Sequence, residues 1–397
     1  MYKLNPKIRW RWEDNNNVLL SSFLILNKTA GEILDLCNEL CKNNEFCDVD
    51  GITNLIHKKY PGITLKELKK DVERMTTEFL RLGILISVKD TDKKKICDRT
   101  FFNQEIISTK FGDKLKSPMS VICEITYRCN VHCQHCGVSS FGQSLKELET
   151  NEWISIIDEM DKMGVLIISF SGGEPLLRKD IGKLITYAHQ KNLRTQLFTN
   201  GLELTREKIK ELEKSGLDII RLSIDGLRET HDRFRGVNGL FDHVMDTINL
   251  LKKSKISTHI GITINKMNGD EIPDIIELLR GMDVDYFFQH IVDTGRAAYA
   301  RNLLLTKKDY LNIISRIVER EKILGKPPEY PGISPTYFTE EITGCPAGRF
   351  TCTITPVGEV RACPFLTKTI VGSVKKRPLK KLWESCKPIK ECPMIPR

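Results

Sequence analysis

The sequence predicts an α/β fold whose main part is an incomplete (β/α)6 barrel. Between residues 117 and 300, segments with the pattern of buried strands alternate with segments that carry the spacing of amphipathic helices. Alternation of this kind is typical of parallel sheets, in which helices join successive strands. Six strand segments are too few for the closed eight-fold barrel, so we expect an open barrel of six strands.

The elements of this barrel follow from short apolar runs and from helix-end signals. The strands are expected at Ser120–Ile125, Val165–Phe170, Arg194–Phe198, Ile219–Ile224, Ser257–Ile264 and Tyr286–Ile291. The alternating helices are expected at Asn151–Met163, Ile181–Lys191, Arg206–Lys214, Phe241–Lys253 and Ile272–Arg280. Thr205 is a typical N-cap residue, and Gly216 stands where the helix that follows Thr205 would end.

Two further regions flank the barrel. Residues 1–95 begin with two alternating segments, Ile8–Trp12 and Val18–Ile25, separated by a polar turn, which predicts a β-hairpin. Three helices are expected after the hairpin, giving a winged-helix-like domain: Ala30–Cys41, Val49–Lys59 and Leu65–Leu82. Residues 340–397 hold five cysteines and only brief apolar runs, which favours a segment organised by metal ligands.

Composition limits the classes of protein that remain open. The 397 residues carry a formal net charge of +9 and thirteen cysteines. No apolar run approaches the ~18 residues that a membrane span requires, and the first residues lack the apolar core of a secretion signal. We therefore expect a cytoplasmic protein with no membrane partner. Clustered cysteines in a reducing compartment are more often metal ligands or catalytic groups than disulfides.

Three cysteines follow the first expected barrel strand. The segment EITYRCNVHCQHC places Cys129, Cys133 and Cys136 in C-x3-C-x2-C spacing. Barrel enzymes carry their chemistry at the C-terminal ends of their strands. Three thiolates bind three irons of a [4Fe–4S] cluster and leave the fourth iron open to another ligand. The spacing by itself leaves a structural zinc site, with a histidine as fourth ligand, as an alternative.

A glycine pair follows the second expected strand. In SGGEP, Gly172 and Gly173 would let a ligand approach the backbone closely. Glu174 would offer a carboxylate, and its neighbours their carbonyl oxygens, to an ammonium group. A glycine pair alone is equally typical of an ordinary turn between a strand and a helix.

Together the two motifs resemble the radical S-adenosylmethionine (SAM) superfamily over residues 117–300. The resemblance implies that SAM binds the open iron and is cleaved by one electron to a 5′-deoxyadenosyl radical, which abstracts hydrogen from a substrate. It implies SAM contacts from Ser223 and Asp225 in RLSIDG and from Arg235 in HDRFRG. It also implies an electron donor such as ferredoxin or flavodoxin.

The C-terminal cysteines resemble the opening of the SPASM extension, C-x9–15-G-x4-C, in the segment CPAGRFTCTITPVGEVRACP. The resemblance implies one auxiliary [4Fe–4S] cluster, with the expected ligands Cys345, Cys363, Cys386 and Cys392 and with Cys352 as an alternative ligand. A complete SPASM domain has further cysteines and usually binds two clusters, so this short tail departs from the pattern. Zinc is the alternative occupant, because it accepts four thiolates as well.

The N-terminal region resembles the PqqD-like protein that accompanies the peptide-processing enzyme of pyrroloquinoline quinone biosynthesis. The matching segments are LNPKIRWRWED, LILNKTAGEILDLC and FLRLGILI. The resemblance implies that this domain binds the leader of a precursor peptide as an added strand. DNA binding is the alternative for three helices and a hairpin. The near balance of basic and acidic residues in Leu65–Leu82 argues against a surface that binds nucleic-acid phosphates.

These features predict an enzyme that modifies a ribosomally synthesised precursor peptide by hydrogen abstraction. Thioether formation, carbon–carbon crosslinking, epimerisation and decarboxylation all remain open. A tetrapyrrole-modifying enzyme is an alternative, because CPAGRFTC and VGEVRACPF followed by VGSV resemble the tails of haem-pathway decarboxylases. A non-catalytic iron–sulfur redox sensor or DNA-binding protein is the alternative from another class, and it leaves SGGEP and the βα array without explanation.

Overall fold

A computed structural model describes residues 1–5, 8–13, 17–20, 25–44, 46–81, 84–88, 114–137, 146–325 and 345–389. The chain divides into two compact units, residues 1–103 and 104–397. Each unit has its own cluster of buried apolar side chains. Within the described ranges, no helix is long and apolar enough to cross a lipid bilayer.

The first unit combines two small antiparallel sheets with three helices. Its strands are β1 (Tyr2–Leu4), β2 (Trp10–Trp12), β3 (Asn17–Leu20), β4 (Ile25–Asn27) and β5 (Leu85–Ser87). Its helices are α1 (Lys28–Asn44), α2 (Val49–Lys59) and α3 (Leu65–Arg81). β1 pairs with β5, and β2, β3 and β4 form a three-stranded sheet in chain order.

The hairpin predicted for the first unit is only partly right. Its second arm, expected to run without interruption from Val18 to Ile25, is divided between β3 and β4. The Asn27 side chain accepts a hydrogen bond from the backbone N–H of Ala30 at 3.0 Å, so β4 leads directly into α1. The three helices were predicted correctly in number and position, although the expected end at Leu82 lies outside the described residues.

The second unit is built on one mixed sheet. Its strands are β6 (Ser120–Thr126), β7 (Ile167–Gly172), β8 (Arg194–Phe198), β9 (Ile219–Ser223), β10 (Ser257–Ile264), β11 (Asp285–His290), β12 (Thr351–Ile354), β13 (Glu359–Arg361) and β14 (Gly372–Ser373). Its helices are α4 (Thr150–Met163), α5 (Ile181–Gln190), α6 (Arg206–Lys214), α7 (Arg228–Arg235), α8 (Leu240–Leu251), α9 (Ile272–Gly281), α10 (Lys307–Ile323) and α11 (Leu379–Ser385).

Strands β6 to β11 are parallel and lie side by side in chain order, which confirms the predicted (β/α)6 arrangement. Each predicted strand and helix of the barrel lies within two residues of the observed element. The Thr205 side chain accepts the backbone N–H of Lys208, so the predicted cap of α6 is confirmed. Helix α7 was missed, because the segment RETHDRFR contains a single large apolar residue, Phe234.

The tail extends the barrel sheet at the edge formed by β6. β12 runs parallel to β6, with Cys352 opposite Val121, and β13 and β14 follow as antiparallel strands. Buried side chains of the tail, including Ile354 and Trp383, belong to the same apolar cluster as those of the barrel. The tail is therefore packed onto the strand that leads directly into the cysteine motif.

Candidate active site

A cavity of about 220 Å³ lies at the carboxyl ends of the parallel strands. It is lined by residues that end or follow all six barrel strands. Of the residues singled out in the sequence, those that line it are Cys129, Cys133, Cys136, Gly172, Gly173, Ser223 and Arg235. The structure thus brings together four motifs that are separated by up to about a hundred residues in the chain.

The cysteine loop is held in place by backbone contacts with two distant segments. The backbone N–H groups of His132 and Gln134 donate to the carbonyl oxygens of Arg235 and Phe234 at 3.1 and 2.9 Å. Arg296 makes two further contacts. Its side-chain Nε donates to the carbonyl oxygen of Cys133 at 2.7 Å, and its backbone N–H donates to the carbonyl oxygen of Cys136 at 2.9 Å. These contacts fix the loop while its thiols line the cavity.

The glycine pair is packed against the residues that precede Cys129. Gly172 has a φ of +121°, and a Cβ added to it would lie 2.4 Å from the carbonyl oxygen of Thr126. A Cβ added to Gly173 would lie 2.2 Å from the carbonyl oxygen of Arg128. Only glycine fits at both positions. The absence of side chains at these two residues therefore allows the loop after β7 to pack closely against the loop after β6, and it also leaves room for a ligand.

Glu174 is fully buried, is not among the residues that line the cavity, and braces the end of β8. Its Oε1 accepts the Thr199 hydroxyl at 2.8 Å and the Leu176 N–H at 3.0 Å, and its Oε2 accepts the Asn200 N–H at 2.9 Å. Burial raises the pKa of this carboxyl to about 7, against the opposing effect of these hydrogen bonds. The carboxylate is thus engaged within the protein, and its predicted contact with an ammonium group stays a prediction.

Asp225 is also buried away from the cavity, where it forms an ion pair with Arg235. Nε of Arg235 donates to Asp225 Oδ2 at 2.6 Å, and the Thr263 N–H donates to Asp225 Oδ1 at the same distance. Nη1 of Arg235 lies 3.6 Å from Sγ of Cys133. Burial is the largest single influence and opposes ionisation of Asp225, but the Arg235 charge, the other neighbouring polar groups and the Thr263 N–H together hold the carboxyl pKa below its usual range.

His135 and Phe365 complete the cavity wall. The His135 ring stacks on Phe234, with ring centroids 4.4 Å apart. Burial lowers its pKa to about 3, so the ring is neutral at physiological pH. Phe365, from the tail, contacts Gly137 beside the cysteine motif. The sequence did not predict that Phe365 or Arg296 would lie at this site, because both are distant in the chain from Cys136.

The residues at this site fit an iron–sulfur cluster and a nucleoside cofactor. Three cysteine thiols face one cavity, backbone edges of a glycine pair line its wall, and Nδ1 of His135 is buried without a hydrogen-bond partner among the described residues. In the described part of the chain, no three His, Cys, Asp or Glu side chains converge as ligands of a single metal ion would. Three cysteines beside an open cavity suit a [4Fe–4S] cluster, whose fourth iron needs a further ligand.

The tail cysteines form a second, separate group. Cys386 ends α11 and is buried; its carbonyl oxygen accepts Nζ of Lys114 at 2.6 Å. Cys345 and Cys363 are half-buried against the same core, and Cys392 lies outside the described residues. Cys352 is fully buried within β12, where burial raises the pKa of its thiol. Gly358 has a φ of +89° and lies in the tight turn between β12 and β13.

Comparison with known proteins assigns a family to each of the two regions that hold these cysteines. The model of the radical SAM superfamily matches residues 123–279, and that of SPASM, an iron–sulfur cluster-binding domain, matches residues 345–392. The AdoMet-dependent heme synthase of Methanosarcina barkeri is 32% identical over 292 residues, which cover 68% of this chain and 83% of that protein. The chain belongs to the radical SAM superfamily. It is therefore an enzyme that uses SAM and a [4Fe–4S] cluster, and its tail is a domain that binds auxiliary iron–sulfur clusters.

Other radical SAM proteins resemble parts or all of the chain. The Fe-coproporphyrin III synthase of M. barkeri is 36% identical over 213 residues, and the match spans about half of either protein (53%). The PqqA peptide cyclase of Bradyrhizobium diazoefficiens is 31% identical over 253 residues, 62% of this chain and 66% of that protein. The structure of Streptococcus suis SuiB bound to precursor peptide SuiA matches with a TM-score of 0.61 and 14% identity, covering 96% of this chain and 88% of SuiB.

Proposed function

We propose that this radical SAM enzyme modifies a ribosomally synthesised precursor peptide whose leader binds to the N-terminal unit. The observation that carries the proposal is the extent of the structural match. SuiB, solved with a precursor peptide, matches 96% of this chain and so includes the N-terminal unit. The heme synthase matches 68% of the chain, and a haem-pathway activity gives the N-terminal unit no role.

The proposed ligands of the SAM cluster are Cys129, Cys133 and Cys136. When bound, the cluster and SAM supply a carbon-centred radical by one-electron cleavage of SAM. The backbone of Gly172 and Gly173 and the side chains of Ser223 and Arg235 line the cavity in which SAM would bind. Glu174 and Asp225 would act indirectly, through the loops and side chains that they hold.

A strand at the edge of its sheet, among the described residues, supports the proposal for the N-terminal unit. β2 lies at one edge of the three-stranded sheet. The indole N–H groups of Trp10 and Trp12 donate to the two carboxylate oxygens of Asp35 at 2.9 and 2.8 Å, which fixes β2 against α1. A strand edge that is held in place is a template for another strand. Backbone hydrogen bonds would then bind the leader, and side-chain pockets would select it.

We assign one auxiliary cluster to Cys345, Cys363, Cys386 and Cys392. Such a cluster could accept an electron from the substrate radical or bind a substrate thiolate. An electron donor such as ferredoxin or flavodoxin would reduce the SAM cluster. Phe365 follows Cys363 by two residues and lines the active-site cavity, so the tail and the barrel share one wall of the substrate site.

A substrate competition tests this proposal. The anaerobically reconstituted enzyme is incubated with SAM, reductant and either a candidate precursor peptide or an iron porphyrin. We expect a defined mass change in the peptide, in proportion to 5′-deoxyadenosine formed, and an unchanged porphyrin. The porphyrin is the second candidate substrate, because the relatives that are 36% and 32% identical act in haem synthesis. A modified porphyrin beside an unchanged peptide would overturn the peptide proposal.

A further inference from the structure

We propose that Arg235 sets the reduction potential of the radical SAM cluster by donating a hydrogen bond to Sγ of Cys133. The inference rests on the proposed role of Cys133 as a cluster ligand. Nη1 of Arg235 lies 3.6 Å from that sulfur, within the range of hydrogen bonds to sulfur. The two residues are only 8% and 7% exposed, so water does not compete strongly for either group.

The guanidinium is held in this position by a partner that is itself fixed. Asp225 is fully buried and accepts Nε of Arg235 on one oxygen and the N–H of Thr263 on the other, both at 2.6 Å. Its carbonyl oxygen accepts Nδ2 of Asn268 at 3.0 Å. The carboxylate therefore leaves Arg235 one principal orientation, in which Nη1 is directed at the thiol.

The backbone of Arg235 also holds this residue next to the cysteine loop. Its carbonyl oxygen accepts the N–H of His132 at 3.1 Å, so α7 ends on the cysteine loop. Gly236 follows with a φ of +74°, and a Cβ there would lie 3.1 Å from the carbonyl oxygen of His132. One residue thus positions the loop through its main chain and contacts the cysteine sulfur through its side chain.

A hydrogen bond at this sulfur has a definite electrostatic consequence. Reduction adds one negative charge to the cluster, and hydrogen bonds to cluster sulfurs are among the factors that set its potential. A donor stabilises the reduced state more than the oxidised state, so it raises the potential. The interaction is stronger in a buried site, where the effective dielectric constant is low. Asp225 offsets the full charge of Arg235, which leaves the oriented N–H groups as the main influence.

Arg296 provides a matched control. Like Arg235, it lines the cavity and contacts Cys133, but its Nε donates to the backbone carbonyl oxygen at 2.7 Å. Arg296→Gln therefore removes a nearby positive charge without removing the contact with Sγ. If charge alone controls the potential, the two arginines are equivalent. If the hydrogen bond to sulfur controls it, Arg235 has the larger effect.

The test is a redox titration of the full-length, anaerobically reconstituted protein, followed by electron paramagnetic resonance. The SAM cluster is identified as the one whose signal changes when SAM is added. At the wild-type midpoint, we expect Arg235→Gln to lower the ratio of reduced to oxidised cluster about tenfold, a shift of about 59 mV for a one-electron couple. Arg296→Gln should change this ratio much less. Equal shifts in the two variants, or none in Arg235→Gln, would overturn the inference.

A second measurement covers the case in which Arg235→Gln does not retain its cluster. The wild-type protein is labelled with ¹⁵N-arginine, and the reduced cluster is examined for hyperfine coupling to nitrogen. We expect a coupling that persists in Arg296→Gln, and its absence would overturn the inference. If instead the assignment of Cys129, Cys133 and Cys136 as cluster ligands is wrong, a SAM-responsive signal would remain after all three are replaced by alanine. This outcome is distinct from a failure of the inference about Arg235.

Discussion

Gly173 lies so close to Arg128 that an added Cβ would come within 2.2 Å of the Arg128 carbonyl oxygen. The next residue, Glu174, donates its N–H to the same oxygen at 2.8 Å. Because Arg128 immediately precedes Cys129, the loop after β7 determines where the first motif cysteine lies. The two sequence motifs of this active site are therefore one structural unit.

Gly173→Ala should separate these loops and reduce cluster binding. The atoms that a Cβ would meet belong to the backbone of Tyr127 and Arg128, which cannot move aside as a side-chain end could. We expect iron and sulfide content after anaerobic reconstitution to fall by about half or more, and the thermal midpoint to fall by several degrees. Gly281→Ala is the control, because nothing lies within 4 Å of its added Cβ. Wild-type iron content in Gly173→Ala would contradict this account.

The backbone plan of the barrel could be predicted from the sequence, since it depends on periodicity and on end signals. The strands Arg194–Phe198 and Ser257–Ile264 were predicted at their observed bounds. Helix α7 was missed because His231 and Arg235 are buried through polar contacts, which apolar periodicity does not report. The three-stranded sheet of the first unit was predicted as a hairpin, because the serine pair Ser21-Ser22 between β3 and β4 was not interpreted as a turn.

The direction of polar side chains at strand ends could not be predicted. Glu174 and Asp225 follow barrel strands, where ligand contacts are common, and both were predicted to meet SAM. In the structure their carboxylates accept hydrogen bonds from within the protein, from Asn200 and from Arg235. The partners of these carboxylates come from the next strand or from a helix, so the direction depends on tertiary packing. The contacts of Arg296 with Cys133 and Cys136 depend on packing in the same way.

Replacing Cys129, Cys133 and Cys136 together by alanine should abolish reductive cleavage of SAM. The proposed cluster would lose all of its protein ligands, and no reduction of SAM can follow. The measurement is 5′-deoxyadenosine release by the anaerobically reconstituted, reduced protein. Cys123→Ala is the control, because Cys123 is fully buried within β6 and does not line the cavity. Undiminished release by the triple variant would refute the ligand assignment.

Replacing Cys345 and Cys363 by alanine should remove about one [4Fe–4S] equivalent. SAM binding should remain, because the motif cysteines line a cavity that contains neither residue. Iron, sulfide and zinc are measured together in the purified protein. Cys352→Ala is a useful comparison with the double variant. Because Cys352 is a core residue of β12, this substitution should lower thermal stability and leave the iron content unchanged. A fall in zinc at constant iron would identify the auxiliary site as a zinc site.

Glu124→Gln should stabilise the apo protein at neutral and alkaline pH. Burial raises the pKa of the Glu124 carboxyl to about 7, and the Arg361 charge opposes this rise only in part. The folded state thus retains a proton that the unfolded state releases near pH 4.5, so the wild-type free energy of unfolding falls as the pH rises from about 4.5 to 7. In Glu124→Gln the free energy of unfolding does not undergo this decrease, which in the wild type amounts to roughly 3 kcal/mol at pH 8.

Unfolding midpoints of the apo protein between pH 4.5 and 8 check this prediction for Glu124. The difference between Glu124→Gln and wild type should be small at the acidic end and grow toward pH 8. Glu229→Gln, at an exposed position on α7, is the control and should follow the wild type throughout. A difference that is constant with pH would show that Glu124 acts through packing instead of ionisation.

Asp35→Ala should weaken leader binding without changing the radical SAM site. Asp35 accepts the indole N–H groups of both Trp10 and Trp12, so its removal frees the edge strand β2 from α1. A leader that adds to this edge would then have to order the strand as it binds. We expect its dissociation constant to rise at least tenfold, since the loss of even one hydrogen bond to a charged group costs about 1.5 kcal/mol.

Glu32→Gln is the matched control for Asp35→Ala. Glu32 lies on the same helix, but its carboxylate accepts hydrogen bonds from Lys59 and Tyr60 at 3.1 and 2.9 Å. The measurement is fluorescence anisotropy of a labelled leader peptide with the full-length protein, repeated with labelled DNA duplex at two salt concentrations. Peptide affinity should fall in Asp35→Ala alone, while SAM cleavage without peptide stays at the wild-type level in both variants. Salt-sensitive duplex binding with no peptide binding would instead assign the N-terminal unit to nucleic acid, because release of counterions from DNA makes such binding steeply dependent on salt.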